Sequence, residues 1–167
     1  MEKIKAILSS NIISSNSKLA FDLNSNQNFG DKSAEKVIYN IYESAYLMEF
    51  SKLELFFKDK KISNIDFLNK VDKNFALKYL VFKDLRKKYI VKTALKFGAD
   101  FRVYDKQGLK RNHAKWLVYI VSENSNAKWQ EFSAKNRVAH STNKKLLIAL
   151  VDSEAKINYY ECNWIKP

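Results

Sequence analysis

The stretch FALKYLVFKDLRKKYIVKTALKFGADFRVYD (75–105) decides how this sequence is read. Leu77, Leu80, Val81 and Leu85 recur at helical spacing, so residues 75–88 are expected to form a helix with one apolar face. YIVKTAL (89–95) and FRVYD (101–105) are rich in the β-branched and aromatic residues that suit a pleated surface, and read as strands. Downstream, AKWLVYIV (114–121) reads as a longer strand and WQEFSAKNRVAHS (129–141) as a helix. KLLIALVD (145–152) and INYYECNWI (157–165) read as strands joined by a short SEAK turn, the pattern of a hairpin. Helices and strands alternate, with antiparallel pairing at the end. That order predicts an α+β, or mixed α/β, domain: a mixed, largely antiparallel sheet flanked by helices.

Upstream of the helix the signals are shorter. Residues 4–8, 11–15 and 18–23 read as strands, NSNQNFGD (24–31) as a loop, and LELFF (53–57) as a strand. Ser33 is placed as the N-cap of a helix carrying Val37, Ile41, Tyr42, Ala45 and Met48. Ser63 or Asn64 is placed as the cap of another, through Ile65, Phe67, Leu68 and Val71. Charge shifts at the junction. Residues 43–72 hold six acids and five bases, whereas 73–92 hold seven bases and one acid. The expected organisation is a small N-terminal α+β domain (1–85) followed by a C-terminal domain (86–167).

The chain has 167 residues, 46% of them hydrophobic, enough to bury a core. It holds three glycines and one proline, so two domains must be closely joined. Thirty Lys and Arg stand against eighteen Asp and Glu, a formal charge of +12, which favours a polyanionic partner such as nucleic acid. A lysine-rich surface kept for solubility is the plainer reading of the same numbers. No apolar run reaches the ~18 residues that span a bilayer, and no membrane partner is expected. Cys162 is the lone cysteine, which excludes an internal disulfide and cysteine-ligated zinc, and fits a reducing, cytoplasmic setting.

The inventory of reactive groups is narrow. There is no P-loop, dinucleotide turn, HExxH or GxSxG. Two histidines, His113 and His140, cannot build a His-rich metal site, and Asp100, Asp105 and Asp152 do not form the cluster of a two-metal nuclease. No cofactor and no metal are expected. RNA permits chemistry without either, because its 2′-hydroxyl is a nucleophile built into the substrate. Such a reaction needs a base, an acid, and a cation for the developing phosphorane charge. Tyr104, His113 and Lys144 offer those three chemistries. Phenols are weak bases, with an ordinary pKa of about 10, and need positive charge nearby. Lys144 or the basic strand around Arg102 can supply it. Each residue also has a plain structural reading: Tyr104 as a core or surface tyrosine, His113 as a solvated loop histidine, Lys144 as a solvated lysine. His140, beside Val138 and Ala139, reads as a packed histidine.

The local strings are more specific than the inventory. Residues 75–105, His113, and RVAHSTNKKLLIALVDSEAKINYYECNWIKP (137–167) resemble the catalytic subunit of archaeal-type tRNA-splicing endonucleases. The family pattern is a Lys-Tyr-hydrophobic-hydrophobic-aromatic-Lys-Asp-Leu-Arg helix, a Gly-x-Asp-Phe-Arg-x-Tyr strand, a following histidine, then Arg-Val-Ala-His-Ser, a lysine, and an aromatic strand ending near Trp-x-x-Pro. The match covers roughly half the chain; residues 1–72 match weakly, in YESAYLMEF and LELFF.

The resemblance implies Tyr104 as general base, His113 as general acid and Lys144 as stabiliser of transition-state charge. It implies precursor tRNA as substrate, cut at bulge–helix–bulge intron junctions to leave 2′,3′-cyclic phosphate and 5′-hydroxyl ends. It places Arg137 and Trp164 about an extruded bulge base, an arrangement that works because a splayed base offers both π faces. It also implies assembly: a two-plus-two tetramer with a related non-catalytic subunit, or a homotetramer, with Asp152 and Glu154 in a loop that docks into a neighbour. The chain departs from the pattern at Thr142 and Asn143, where an arginine is common, and at Lys156 within the acidic loop. Two other readings stay open here. One is a non-catalytic RNA-binding or assembly subunit; the other is a metal-dependent nuclease.

Overall fold

A computed structural model describes residues 2–62, 71–105 and 113–165. The chain forms two compact units, Met1–Phe75 and Ala76–Pro167. The division falls at the start of the helix whose far end marks the boundary read from sequence.

In the first unit, β1 (Ile4–Ser9), β2 (Ile12–Ser15), β3 (Asp31–Ser33), β4 (Lys36–Tyr39), β5 (Leu53–Phe57) and β6 (Lys60–Ile62) form one sheet in the order β3-β4-β2-β1-β5-β6. β1 and β5 are parallel, and the other pairs antiparallel. Two helices, α1 (Lys18–Gln27) and α2 (Ile41–Glu49), contribute Ala20 and Leu47 to a core with Ile4, Ala6, Ile13, Val37, Leu53 and Leu55.

Two expectations are corrected here. Residues 18–23, read as a strand, begin α1: the Ser17 hydroxyl accepts from the Ala20 amide at 3.3 Å and starts the helix. Ser33 is no N-cap but the last residue of β3. The chain turns at Ala34, in the left-handed region at φ 41°, and returns as β4, with Val37 and Tyr39 buried on alternate positions. The cap of α2 is Asn40, whose side chain accepts from Tyr42 N (3.0 Å) and Glu43 N (2.9 Å), while Glu43 accepts from Asn40 N (3.2 Å). Buried Glu43 also accepts from Gly30 N at 3.0 Å. Gly30 sits at φ 71°, and a Cβ there would collide with Val37. Of the helix expected after Ser63, residues 63–70 lie outside the described residues, and Val71, the last residue named for it, is helical.

The second unit follows the sequence reading closely. It contains α3 (Phe75–Arg86), β7 (Ile90–Ala94), a 3-10 turn (Leu95–Phe97), β8 (Ala99–Tyr104), β9 (Trp116–Ser122), α4 (Trp129–Ser141), β10 (Lys145–Val151) and β11 (Ile157–Cys162). The sheet runs β11-β10-β9-β8-β7, with β9 and β10 parallel and its other pairs antiparallel. Thus the fold is α+β, with four helices and two mixed sheets among the described residues. α3 covers the face bearing Phe101, whose ring lies 5.7 Å from that of Phe82. It is also fastened to the edge strand: Tyr159 of β11 donates its hydroxyl proton to Asp84 Oδ2 at 2.9 Å. α4 covers the opposite face, packing Ala139 with Leu117, Tyr119 and Leu146.

Candidate active site

Strand direction gathers the candidate residues. β8 is antiparallel to β9, β10 is parallel to β9, and β11 is antiparallel to β10. The C-terminal ends of β8 and β11 therefore lie beside the N-terminal ends of β9 and β10. Tyr104 closes β8, His113 stands just before β9, Lys144 just before β10, and Trp164 just after β11. All four reach one end of the sheet. Backbone bonds hold that end together: Lys115 N donates to Val103 O (2.8 Å), and Lys145 N to Lys115 O (3.1 Å).

Tyr104 is buried, in a cluster with Ile90 and Ala114. Arg102 lies two residues earlier on the same face, its guanidinium carbon 5.8 Å from the Tyr104 ring centre. Its Nε is buried and meets no hydrogen-bond acceptor among the described residues. The Lys144 ammonium donates to Thr142 O at 2.7 Å and sits 5.1 Å from the centre of the Phe97 ring. Burial, and then the Arg102 charge, hold the Lys144 pKa below the usual lysine range. His113 is exposed to solvent. The site thus offers a phenol, an imidazole and a partly desolvated ammonium at one sheet end, next to a guanidinium.

Beside them opens a pocket of about 330 Å³, lined in part by Lys144, Trp164, His140, Asn136, Asn163 and Lys115. The sequence placed His140 as a packed helix residue. The structure leaves it exposed in the last turn of α4, its ring centre 4.7 Å from that of Trp164. Arg137 is exposed on α4, one residue beyond Asn136. Among the pocket residues, Lys115, Asn136 and Asn163 were not singled out from sequence, and His140 was read as packed rather than as part of a site. Their signal was position alone: Asn163 lies within the motif segment 137–167, Asn136 just before it, and Lys115 two residues after His113.

Asp152 and Glu154 occupy the turn at the opposite end of the sheet, between β10 and β11. Asp152 Oδ1 accepts from Glu154 N (2.9 Å) and Lys156 N (2.8 Å), so this carboxylate organises its own turn. Glu154 is exposed and paired with Lys156 at 2.5 Å.

This is a basic site on an α+β scaffold, and comparison with known proteins gives the family. Residues 75–159 match the tRNA intron endonuclease, catalytic C-terminal domain. The tRNA-splicing endonuclease of Methanothermobacter thermautotrophicus is 40% identical over 152 residues, 89% of this chain and 89% of that one. The tRNA-splicing endonuclease of Nanoarchaeum equitans is 46% identical over 138 residues, 76% of this chain and 88% of its own. That of Pyrococcus horikoshii is 35% identical over 159 residues, 93% and 92% of the two chains. The chain belongs to the tRNA-splicing endonuclease family.

Proposed function

We propose that this chain is a catalytic subunit that cleaves precursor tRNA at bulge–helix–bulge junctions, by attack of the substrate's own 2′-hydroxyl and without a metal ion. Tyr104 takes the 2′-hydroxyl proton, His113 protonates the leaving 5′-oxygen, and Lys144 stabilises the charge that builds on the phosphorane. The proton ledger closes: one proton leaves the nucleophile and one reaches the leaving group. The products carry a 2′,3′-cyclic phosphate and a 5′-hydroxyl.

The observation that carries this reading is the convergence of the ends of β8, β9 and β10, which places the three groups at one end of the sheet. The Lys144 ammonium is partly withdrawn from water, which strengthens its action on a nearby phosphate. Lys115 beside it supplies charge that holds a polyanion. Trp164 and Arg137 serve an extruded bulge base, with the indole as its stacking surface. Two splice sites require two active sites, so the chain works in an assembly: a two-plus-two tetramer with a related non-catalytic subunit, docked through the loop at Glu154.

The test is cleavage of a bulge–helix–bulge RNA by the purified chain, in EDTA, with end-group analysis. Cyclic phosphate and 5′-hydroxyl ends are expected. A 5′-phosphate, or activity abolished by EDTA and restored by magnesium, would replace this mechanism with a metal-dependent one. RNA binding without cleavage would mark a non-catalytic subunit. Light scattering of the chain alone separates the assemblies, since a stable tetramer that cleaves unaided needs no second subunit.

A further inference from the structure

On the sheet face opposite Arg102 and Tyr104, two side chains close on one carboxylate. Glu161, near the end of β11, accepts a hydrogen bond from the Trp116 indole Nε1 at 2.7 Å through Oε2. Through Oε1 it meets the Lys145 ammonium at 2.6 Å. Trp116 is the first residue of β9 and Lys145 the first of β10, and the two are direct partners across that parallel pair. One side chain on the edge strand β11 therefore ties down the starting residues of its neighbour β10 and of β9 beyond it.

Those starting residues are the ones that matter to the site. His113 lies three positions before Trp116, Lys144 immediately before Lys145, and Trp164 three positions after Glu161. The Trp116 ring is itself wedged. The Tyr89 ring meets it edge-on at 5.1 Å, and the Lys115 ammonium stands 4.0 Å from its centre. With 8% of its surface exposed, Trp116 is a fixed post rather than a mobile side chain. Lys145 and Glu161 are more open, at 51% and 32% side-chain exposure. An ion pair of that exposure contributes little to stability, so a role in stability alone accounts poorly for a three-strand arrangement at this one end.

We propose that Glu161 is a positioning residue for cleavage: it fixes the ends of β9 and β10, and through them the backbone that presents His113 and Lys144, while keeping the Lys145 ammonium on the face away from Tyr104. This rests on the proposed mechanism for the identity of the groups being placed. The chemistry favours the assignment. A carboxylate beside a polyanion-binding pocket opposes substrate binding, so its presence at this end needs a compensating use. Holding reacting groups in register is such a use, because a misplacement of about 1 Å can cost ~10²-fold in rate. Lys145 first, and then the indole donor, hold the Glu161 pKa below the ordinary carboxylate range, in keeping with an acceptor that stays ionised in the clamp.

The experiment compares Glu161→Ala, Glu161→Gln and wild type in the full chain, under single-turnover conditions on a bulge–helix–bulge RNA. Glu161→Ala is expected to lower the maximal rate roughly 10-fold or more, with KM unchanged or lowered, since a negative charge is removed beside RNA. Glu161→Gln keeps an acceptor for the indole and loses the ion pair, so it should recover part of the rate. Fluorine NMR of the chain labelled with 5-fluorotryptophan supplies an independent readout. The Trp116 resonance, assigned with Trp116→Phe, should move in both variants and move further in Glu161→Ala. Wild-type maximal rates in Glu161→Ala, or a rate loss in a variant whose Trp116 resonance has not moved, would overturn the proposal. Wild-type chain that fails to cleave would instead overturn the proposed mechanism. The fluorine shifts would then still decide whether Glu161 holds the strand ends.

Discussion

Tyr159→Phe deletes one oxygen and tests how α3 is fastened to the sheet of the second unit. The Tyr159 hydroxyl donates to Asp84 Oδ2 at 2.9 Å, half-buried between β11 and α3. A hydrogen bond to a charged group contributes roughly 1.5–3 kcal/mol. Here the carboxylate also takes Lys87 at 3.0 Å, and its side chain is 39% exposed, so water and the lysine remain available to it. The expected loss is therefore at the low end, about 1–1.5 kcal/mol. For a chain of this size that lowers Tm by roughly 3–5 °C. Trp116, Trp129 and Trp164 all lie in the second unit, so tryptophan emission during urea or thermal unfolding follows that unit. The pH dependence gives a second check. Burial, and then the bond to Asp84, raise the Tyr159 pKa well above the ordinary phenol value. A group whose pKa is raised by folding stabilises fully below its unfolded pKa. It loses that contribution as pH climbs beyond it, so the gap between wild type and variant should be constant at neutral pH and narrow from about pH 10 upward. A variant within ~0.3 kcal/mol of wild type at neutral pH, inside the ±0.5 usual for inert surface changes, would refute the reasoning. So would a gap that stays constant into strong alkali.

Tyr104→Phe, His113→Ala and Lys144→Ala should each slow single-turnover cleavage by roughly 10²-fold or more, with unfolding curves showing an intact second unit; near-wild-type rates in all three would remove the acid–base assignment. Trp164→Ala should weaken binding of a bulged RNA by roughly 1–3 kcal/mol and spare a plain duplex, measured by competition binding, because stacking requires an extruded base. Equal losses on both RNAs would mean that the contact of Trp164 with His140 is what matters. Glu154→Lys alone, with Asp152 kept because its carboxylate builds the turn, should make the assembly fall apart at lower salt than wild type in light scattering, as expected of a rim charge. An unchanged particle mass across the salt range would set the docking role aside.

The second unit was legible because pattern and packing agree there. Its strands carry near-continuous Val, Ile and Leu runs, and α4 occupies the residues 129–141 read as helix. The first unit was harder for identifiable reasons. KLAFDL alternates enough to mimic a strand, and only the Ser17 hydroxyl on Ala20 N settles it as helix. Val37 and Ile41 lie four apart by coincidence: one is buried on β4, the other opens α2. The capping box was in plain view as Asn40-Ile-Tyr-Glu43, yet Ser33 drew the assignment because it precedes an acid and an apolar run. In the site, the types and order of Tyr104, His113, Lys144 and Trp164 were visible as strings. The contact of His140 with Trp164 was not, because it depends on where the last turn of α4 meets the chain leaving β11. Nor was the turn-building use of Asp152, which follows from the left-handed backbone at Ala155, φ 62°.

The parallel pairing of β9 with β10 has a bearing on how activity appears during folding. A parallel pair cannot close through a tight turn; it waits for α4 to cross the sheet and bring β10 back to the same starting line. Contacts between residues so far apart in sequence form late, because loop closure must be met before they gain anything. His113 and Lys144 therefore become neighbours of one sheet end only once the crossover is complete, after the β7–β8 hairpin can already exist. In a refolding experiment, cleavage should lag behind secondary structure and rise together with burial of Trp116, so a half-folded chain would present its basic surface to RNA without the means to cut it.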